Sequence, residues 1–223
     1  MKKPIILGIS AFYHDSAAAI IRGTEIIAAA QEERFTRKKF DKSFPKHAIE
    51  YCLKEAKIDL KNLDAIAFYE DPILKWDRVF STTIANKKIK HTEIKKLQRW
   101  IENKLFIEDA IYHHFLKDFQ GTILFSQHHL SHACSAFFPS PFEEATIVVI
   151  DGIGEWACTS IGVGKGEKVE LLQEQRFPNS VGFLYSAFTQ YLGFKVDSGE
   201  YKVMGLAPYG KPKYVEKIKV IIT

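Results

Sequence analysis

The feature that most constrains this chain is a supersecondary pattern that starts twice. The first start is three strand-like runs, "PIILGIS", "SAAAIIRG" and "EIIAAAQEERF", with Gly23-Thr24 marking a tight turn between the second and third. A helix follows over "PKHAIEYCLKEAKI", where Ala48, Ile49, Cys52, Leu53 and Ala56 recur at helical spacing. Pro45 opens it, at a position whose N–H has no helical partner in any case. The strand "LDAIAFYE" comes next. The pattern begins again with "ATIVVIDGIGEWA", "CTSIGVGKG" and "KVELLQEQRF" as three more strands, then the amphipathic helix "SVGFLYSAFTQYLGF". Two α/β units of this kind bury their sheets as layers. They predict two subdomains, 1–140 and 141–223, with a cleft between them that receives the first hairpin turn of each.

The stretch between the two starts is read as a long charged helical region from Asp77 to Phe119, the buried strand "GTILFSQ", and the helix "HHLSHACSAFF", closed by Pro139 and Pro141. The second unit looks unfinished. Its last residues, "VEKIKVIIT", read as an apolar strand edge, which is a poor natural terminus. A further segment, on this chain or on a separate polypeptide, is therefore expected as a partner.

Composition removes several function classes. A hydrophobic share of 46% with 26% charged residues is that of a soluble globular protein. Much of the net charge of +4 lies between Lys87 and Lys104, as the solvated face of a helix. Trp100 is its single Phe, Tyr or Trp side chain and no recognised nucleic-acid-binding module accompanies it, so no nucleic-acid partner is expected. No run of about 18 apolar residues is present, and no membrane span is expected. The apolar run at the N-terminus stops at His14 and Asp15, without a signal-peptide cleavage pattern. Three cysteines with no close pairing fit a reducing cytosol, so the expected location is cytoplasmic.

Five segments could carry chemistry. His128 and His132 lie four apart on a predicted helix, so both imidazoles leave one face. Asp151 lies 19 residues beyond His132, where the strand "TIVVID" meets a loop, and is available as a third ligand. Two histidines and a carboxylate with open positions suit non-haem iron, and also zinc or manganese. On spacing alone a histidine pair is more often surface decoration. His129 with His132 is an alternative pair, and His113 and His114 read as solvated.

The turn "DGIGEW", with Gly152, Gly154 and Glu155, could let a phosphate approach the backbone or could simply join two strands. His14, Asp15 and Ser16 form a polar triplet between apolar strands; histidine suits proton exchange, although Asp and Ser are also ordinary turn residues. In "QEERFTRKKFDKSFP", Glu32 to Arg34 read as a strand end. Arg34 and Arg37 are the plausible anion anchors, and Lys38 and Lys39 read as solvated. In "GEYKVMGLAPYGKP", Gly205 and Gly210 bracket a loop or helix start. There Lys202 could meet a phosphate, and Tyr201, Met204 and Tyr209 could flank a base or pack.

Taken in order, "GISAFYHDSAAAII", "AAAQEERFTRKKFDKSFP", "HHLSHACSAFFPSPFEEATIVVIDGIGEWA", "SVGFLYSAFTQYLGF" and "GEYKVMGLAPYG" resemble the N-terminal domain of the NodU/CmcH carbamoyltransferase family. The resemblance covers most of the chain except roughly 70–120. It implies an α/β fold of the actin/Hsp70/sugar-kinase (ribonuclease H-like) type with the second subdomain incomplete. It is similar to the metal-dependent transferase that places threonylcarbamoyl on tRNA.

The implied function is O-carbamoyl transfer. Carbamoyl phosphate and ATP yield carbamoyl-adenylate in a separate domain, and the carbamoyl group passes to a hydroxyl of a small-molecule acceptor. The resemblance makes His128, His132 and Asp151 ligands of a divalent metal, Fe²⁺ first and Zn²⁺ or Mn²⁺ as alternatives. It makes His14 the base on the acceptor hydroxyl. Asp15, Ser16, Gly152, Gly154, Glu155, Lys202, Met204 and Gly205 become the nucleotide and carbamoyl-adenylate contacts. A homodimer is compatible with it. The family domain continues further and supplies another metal-binding aspartate and the adenylate-forming domain, neither of which is in these 223 residues. Two other functions fit the pattern: a sugar or metabolite kinase of the same superfamily, and a non-catalytic nucleotide- or metal-binding module. A kinase of this architecture would bind Mg²⁺ through carboxylates and phosphate oxygens, which the histidine pair does not suit.

Overall fold

The structure is a computed structural model, and it describes residues 3–85, 95, 101, 105–115 and 119–222. It divides into two compact units, Met1–Ser131 and His132–Thr223.

In the first unit, β1 (Ile5–Ser10), β2 (Ala17–Arg22) and β3 (Glu25–Gln31) form an antiparallel meander. The turn after Arg22 works because Gly23 sits at φ +61, where a side chain is disfavoured. Two shorter strands, β4 (Ala65–Phe68) and β5 (Thr122–Phe125), add parallel to β1. The resulting order, β3-β2-β1-β4-β5, is the ribonuclease H-like α/β arrangement that the family resemblance implies.

The core follows from pattern. Ile5, Leu7 and Ile9 share one face of β1, as a period of two requires, and are buried. Helix α1 (Glu33–Thr36) is a single turn, and α2 (Lys46–Ala56) lays Ala48, Ile49, Cys52 and Ala56 on the sheet. Each fully buried Leu or Ile here stabilises the unit by roughly 2 kcal/mol. Of two further helices, α3 (Pro72–Ala85) starts five residues ahead of the region read as helical and runs into it, and α4 (Ile107–Phe115) lies inside it. Ile107 and Ile111 of α4 join the core. Most of the rest of that region lies outside the described residues.

Helix α5 (His128–Phe137) follows β5. In the second unit β6 (Glu144–Ile150), β7 (Ala157–Lys165) and β8 (Lys168–Arg176) repeat the antiparallel meander as a three-stranded sheet. Ala133 and Phe137 of α5 pack on Ile147 and Val149 of β6. Gly164 permits this, since a Cβ there would lie 2.5 Å from the Phe137 ring. Helices α6 (Val181–Tyr191), α7 (Glu200–Leu206) and α8 (Val215–Ile222) complete the unit.

Two local expectations are corrected. Glu33 and Arg34 are not the end of a strand: β3 stops at Gln31 and the chain turns into α1. The reason is that Glu32 turns inward, as described below. The last apolar run is helical, not a strand edge, because Val215, Ile218 and Ile222 recur at 3 and 4 residues rather than alternating.

Candidate functional site

Two local constructions hold most of the residues singled out by sequence. The first is the turn between β1 and β2. His14 is exposed, and its Nδ1 lies 2.8 Å from Asp15 Oδ2. With Asp15 as the acceptor, the proton of this bond sits on Nδ1, and Nε2 is the ring nitrogen not engaged in it.

The turn is held in an unusual conformation. Phe12 and Asp15 both have positive φ, 67° and 48°, which non-glycine residues rarely adopt outside functional or strongly constrained positions. The constraint comes from the segment before α2. Lys42 O accepts from Phe12 N at 3.0 Å, and Asp41 O accepts from Ser16 N at 2.8 Å. The Phe12 and Phe44 rings also pack together, with centroids 6.1 Å apart. Ser16 is fully buried, and its Oγ has no hydrogen-bond partner among the described residues.

Asp41 braces that segment. Its carboxylate accepts from Ser43 N and Oγ and from Thr36 Oγ, which holds its pKa down to about 2. Glu32 does the same work for α2. It is buried, and its carboxylate accepts from Ala48 N at 2.9 Å and His47 N at 3.3 Å, with His47 Nδ1 at 2.5 Å. It thus satisfies helix-start donors that Pro45 cannot cap. Beside the turn, Lys75 Nζ lies 5.3 Å from the Tyr13 ring centroid and pairs with buried Glu70.

Sequence reasoning overlooked Asp41, Glu70 and Lys75, and read Glu32 as part of a strand end. The available signals were Asp-x-Ser at 41–43 and a carboxylate and a lysine five apart across a helix start. Arg34 stays largely exposed near Glu33, and Arg37 ends α1 in the left-handed region.

The second construction is a donor cluster on α5 and the end of β6. Helix periodicity sets His128 and His132 one turn apart. Asp151 follows β6 directly. One donor atom from each of the three lies within 4.8 Å of the others, and His132 Nε2 to Asp151 Oδ2 is 3.9 Å. Asp151 Oδ1 accepts from Gly152 N at 2.6 Å, so its other oxygen is the one facing His132. The His128 ring meets the Tyr69 ring edge-on at 5.5 Å, and Ser131 Oγ donates to Tyr69 O at 2.8 Å. His129 is buried and is not in the cluster, so the structure gathers the 128/132 pair rather than the 129/132 alternative.

The donor set fits a divalent cation. At bond lengths of about 2.1 Å, tetrahedrally placed ligands of one ion lie about 3.4 Å apart, so closure draws the most distant donors together by up to about 1.4 Å. Two imidazoles and one carboxylate leave positions open for a substrate oxygen.

The turn after Asp151 is set by α6. Ser180 caps that helix, accepting from Phe183 N at 3.0 Å, while its hydroxyl reaches Gly152 O at 2.7 Å and Asp151 O at 3.3 Å. Gly182 lets the helix press on this backbone, because a Cβ there would fall 2.3 Å from Asp151 O. Gly154 N donates to Ala157 O, so the amides of both Gly152 and Gly154 are committed within the turn. Glu155 is buried. Lys202, Met204 and Gly205 lie exposed on α7, whose Glu200 Oε1 accepts from Ser186 Oγ of α6 at 2.9 Å. Glu200 is held below the usual carboxylate range by hydrogen bonds, from its own amide, Ser186, Asp197 and Gly199, that outweigh its burial.

Fold and cluster together define an α/β protein with a two-histidine, one-carboxylate donor set. The chain belongs to the family described as carbamoyltransferase N-terminus, whose model matches residues 5–222. It is 51% identical to the uncharacterized protein sll1178 of Synechocystis over 96% of this chain and 36% of that protein. It is 36% identical to the nodulation protein NolNO of Sinorhizobium fredii, over 90% of this chain and 28% of that one. The chain thus spans about a third of the length of these curated relatives. Among solved structures, YeaZ from Pseudomonas aeruginosa superposes with a TM-score of 0.42 at 13% identity, over 79% of this chain and 68% of that one. Among the described residues, no helix is long and apolar enough to cross a membrane.

Proposed function

We propose that this chain is the metal- and nucleotide-binding part of an O-carbamoyltransferase. The reaction passes a carbamoyl group from carbamoyl-adenylate, made from carbamoyl phosphate and ATP, to a hydroxyl of a small-molecule acceptor. The observation that carries this reading is the convergence of His128, His132 and Asp151, within 4.8 Å, in a chain of this family.

In this reading those three residues hold a divalent metal, Fe²⁺ before Zn²⁺ or Mn²⁺. When bound, such an ion stabilises negative charge on phosphate or carbamoyl oxygens. His14 acts as the base. Asp15 fixes the tautomer with Nε2 unprotonated, and that nitrogen takes the proton of the acceptor hydroxyl. The acceptor oxygen then bonds to the carbamoyl carbon, and the bond from that carbon to the adenylate oxygen breaks, releasing AMP. Ser16, Asp15, Glu155, Lys202, Met204 and Gly205 are assigned to the nucleotide and its carbamoyl ester, with Gly152 and Gly154, whose amides are taken within the turn, contributing close backbone approach rather than free N–H donors. A remaining segment or second polypeptide supplies the adenylate-forming step, because the chain covers only about a third of its relatives.

The test is elemental analysis of purified wild type and His132→Ala. About one transition metal per chain is expected in the first and a loss of most of it in the second. Equal content in both would remove the metal from the proposal. With the remaining segment supplied, His14→Ala is expected to keep the metal and lower carbamoyl transfer by about 10²-fold or more. Unchanged turnover would remove His14 from the mechanism. A metal-loaded wild type that transfers no carbamoyl group would favour a binding module instead.

A further inference from the structure

A lysine is buried where the local pattern gives no reason for one. In the first turn of α3, Lys75 is buried while its neighbours Ile73 and Leu74 are exposed. Its charge also sits near the start of a helix, where the macrodipole disfavours a cation. The partner is Glu70, two residues past the end of β4 and buried as well. The pair is not what starts the helix. Asp71 does that: its carboxylate accepts from Ile73 N at 2.8 Å and Leu74 N at 3.0 Å. Taking two charges out of water is costly, and a buried ion pair returns little net stability. A pair of this kind can instead fix one arrangement of its surroundings.

What surrounds it is the tip of the β1–β2 turn. Backbone bonds to Lys42 O and Asp41 O hold the two shoulders of that turn, at Phe12 and Ser16. Between them Tyr13 is 47% exposed, with the Lys75 ammonium 5.3 Å from its ring centroid. A cation at that distance, withdrawn from water, is attracted to the face of the ring. The Tyr13 ring in turn lies 4.6 Å, centroid to centroid, from the His14 imidazole. The same β4–α3 corner carries Tyr69, whose ring meets that of His128 edge-on. Every residue in this run of contacts belongs to the first unit. Lys75 is not placed to hold an anionic ligand itself, because it is buried and Glu70 already neutralises it.

We propose that Lys75, held by Glu70, is a positioning residue for His14. Its ammonium fixes the Tyr13 ring, and that ring fixes the direction of the imidazole. The Asp15 bond cannot do this alone, since it joins adjacent side chains that are 55% and 32% exposed, and pairs so open to water are weak constraints. A reacting group is held in its productive direction by neighbours whose own rotamers are locked. The buried pair supplies that lock beneath an exposed aromatic side chain. Orientation of this kind acts on the rate of transfer more than on the affinity for the acceptor. The role given to Lys75 rests on the reading of His14 as the base.

The first measurement needs no chemistry. In the metal-free chain, the NMR signals of the His14 ring protons, assigned with His14→Ala, are compared between wild type and the double variant Glu70→Gln/Lys75→Met. The double variant is expected to fold, because replacing a buried ion pair by uncharged side chains of similar volume is often neutral. Ring current from Tyr13 displaces the His14 signals in wild type. The double variant is expected to lose most of that displacement while the core signals stay in place. With the remaining segment supplied, it is expected to lower kcat about tenfold or more and to leave KM for the acceptor within about threefold. Tyr13→Leu, made from the exposed side, is expected to give the same split, and combining it with the double variant should add no further loss, since both remove one contact. If the pair cannot be replaced without unfolding, Tyr13→Leu decides by its kcat alone. Unchanged displacement of the His14 signals in the double variant overturns the proposal whatever His14→Ala does to turnover, so the positioning and the base reading fail separately. Unchanged kcat in Tyr13→Leu, or losses that multiply in the combined protein, overturn it too.

Discussion

Gly182→Ala tests whether α6 sets the position of Asp151. A Cβ at this site would lie 2.3 Å from Asp151 O and 2.7 Å from Gly152 N, both backbone atoms. Ordinary contact begins near 3.4 Å, so helix and turn must separate by about 1 Å. Overpacking of that kind costs about 1–3 kcal/mol. The separation also stretches the Ser180 bonds to Gly152 O and Asp151 O, each contributing roughly 1 kcal/mol. Against this stands the helix preference of Ala over Gly, at most about 1 kcal/mol and smaller in a first turn. The net expectation is a loss of about 1–3 kcal/mol, or a melting temperature lower by roughly 3–10 °C for a chain of this size.

The matched control is Gly205→Ala, within α7, where an added Cβ meets nothing within 4 Å. It is expected to hold or raise stability, by up to about 1 kcal/mol. Thermal melting by circular dichroism reads both variants. The donor cluster provides a second readout: Gly182→Ala should weaken metal retention, because Asp151 moves with its backbone, while Gly205→Ala should not. A Gly182→Ala protein as stable as wild type, with unchanged metal content, would refute the claim that this contact positions the carboxylate.

Three further outcomes are expected. Glu32→Ala should destabilise the chain by roughly 1–3 kcal/mol in urea denaturation, since it leaves the amides of His47 and Ala48 without their acceptor; a loss below about 0.5 kcal/mol would contradict the capping role. Burial raises the Cys52 thiol to about 11, so at pH 8 it should react with a thiol reagent only as fast as the protein opens; rapid labelling of Cys52 in the native state, mapped by mass spectrometry, would contradict this. Asp41 is held down to about 2 from 3.8 by Ser43 and Thr36, so its stabilisation is complete above about pH 4 and is lost as pH falls toward 2. Asp41→Asn should flatten that part of the stability–pH curve, and an unchanged acid limb in the variant would count against it.

Periodicity made the meander-helix-strand order legible, because β1 and α2 each bury one face at a fixed repeat. The same rule made His128 and His132 neighbours before any coordinates, since residues four apart on a helix must share a side. The strand end at Asp151 was also visible, as an apolar run broken by Asp-Gly.

What the linear pattern did not carry is everything that depends on segments distant in sequence. Glu32 looked like one more charge at a strand end, and only the arrival of α2 turns it into a buried cap. The terminal apolar run reads as a strand in sequence and is a helix in the fold, because a short run is ambiguous between the two periods. The choice of His128 over His129 required knowing which side of α5 meets the sheet. The backbone of the His14 turn, with Phe12 and Asp15 at positive φ, is imposed by Lys42 and Asp41 some 25 to 30 residues away. Sequence by itself determined which side chains share a face, because local geometry is periodic. Which faces meet, and which carboxylate is turned inward or toward a histidine, was decided by packing, where burial penalises every polar group that does not find a partner.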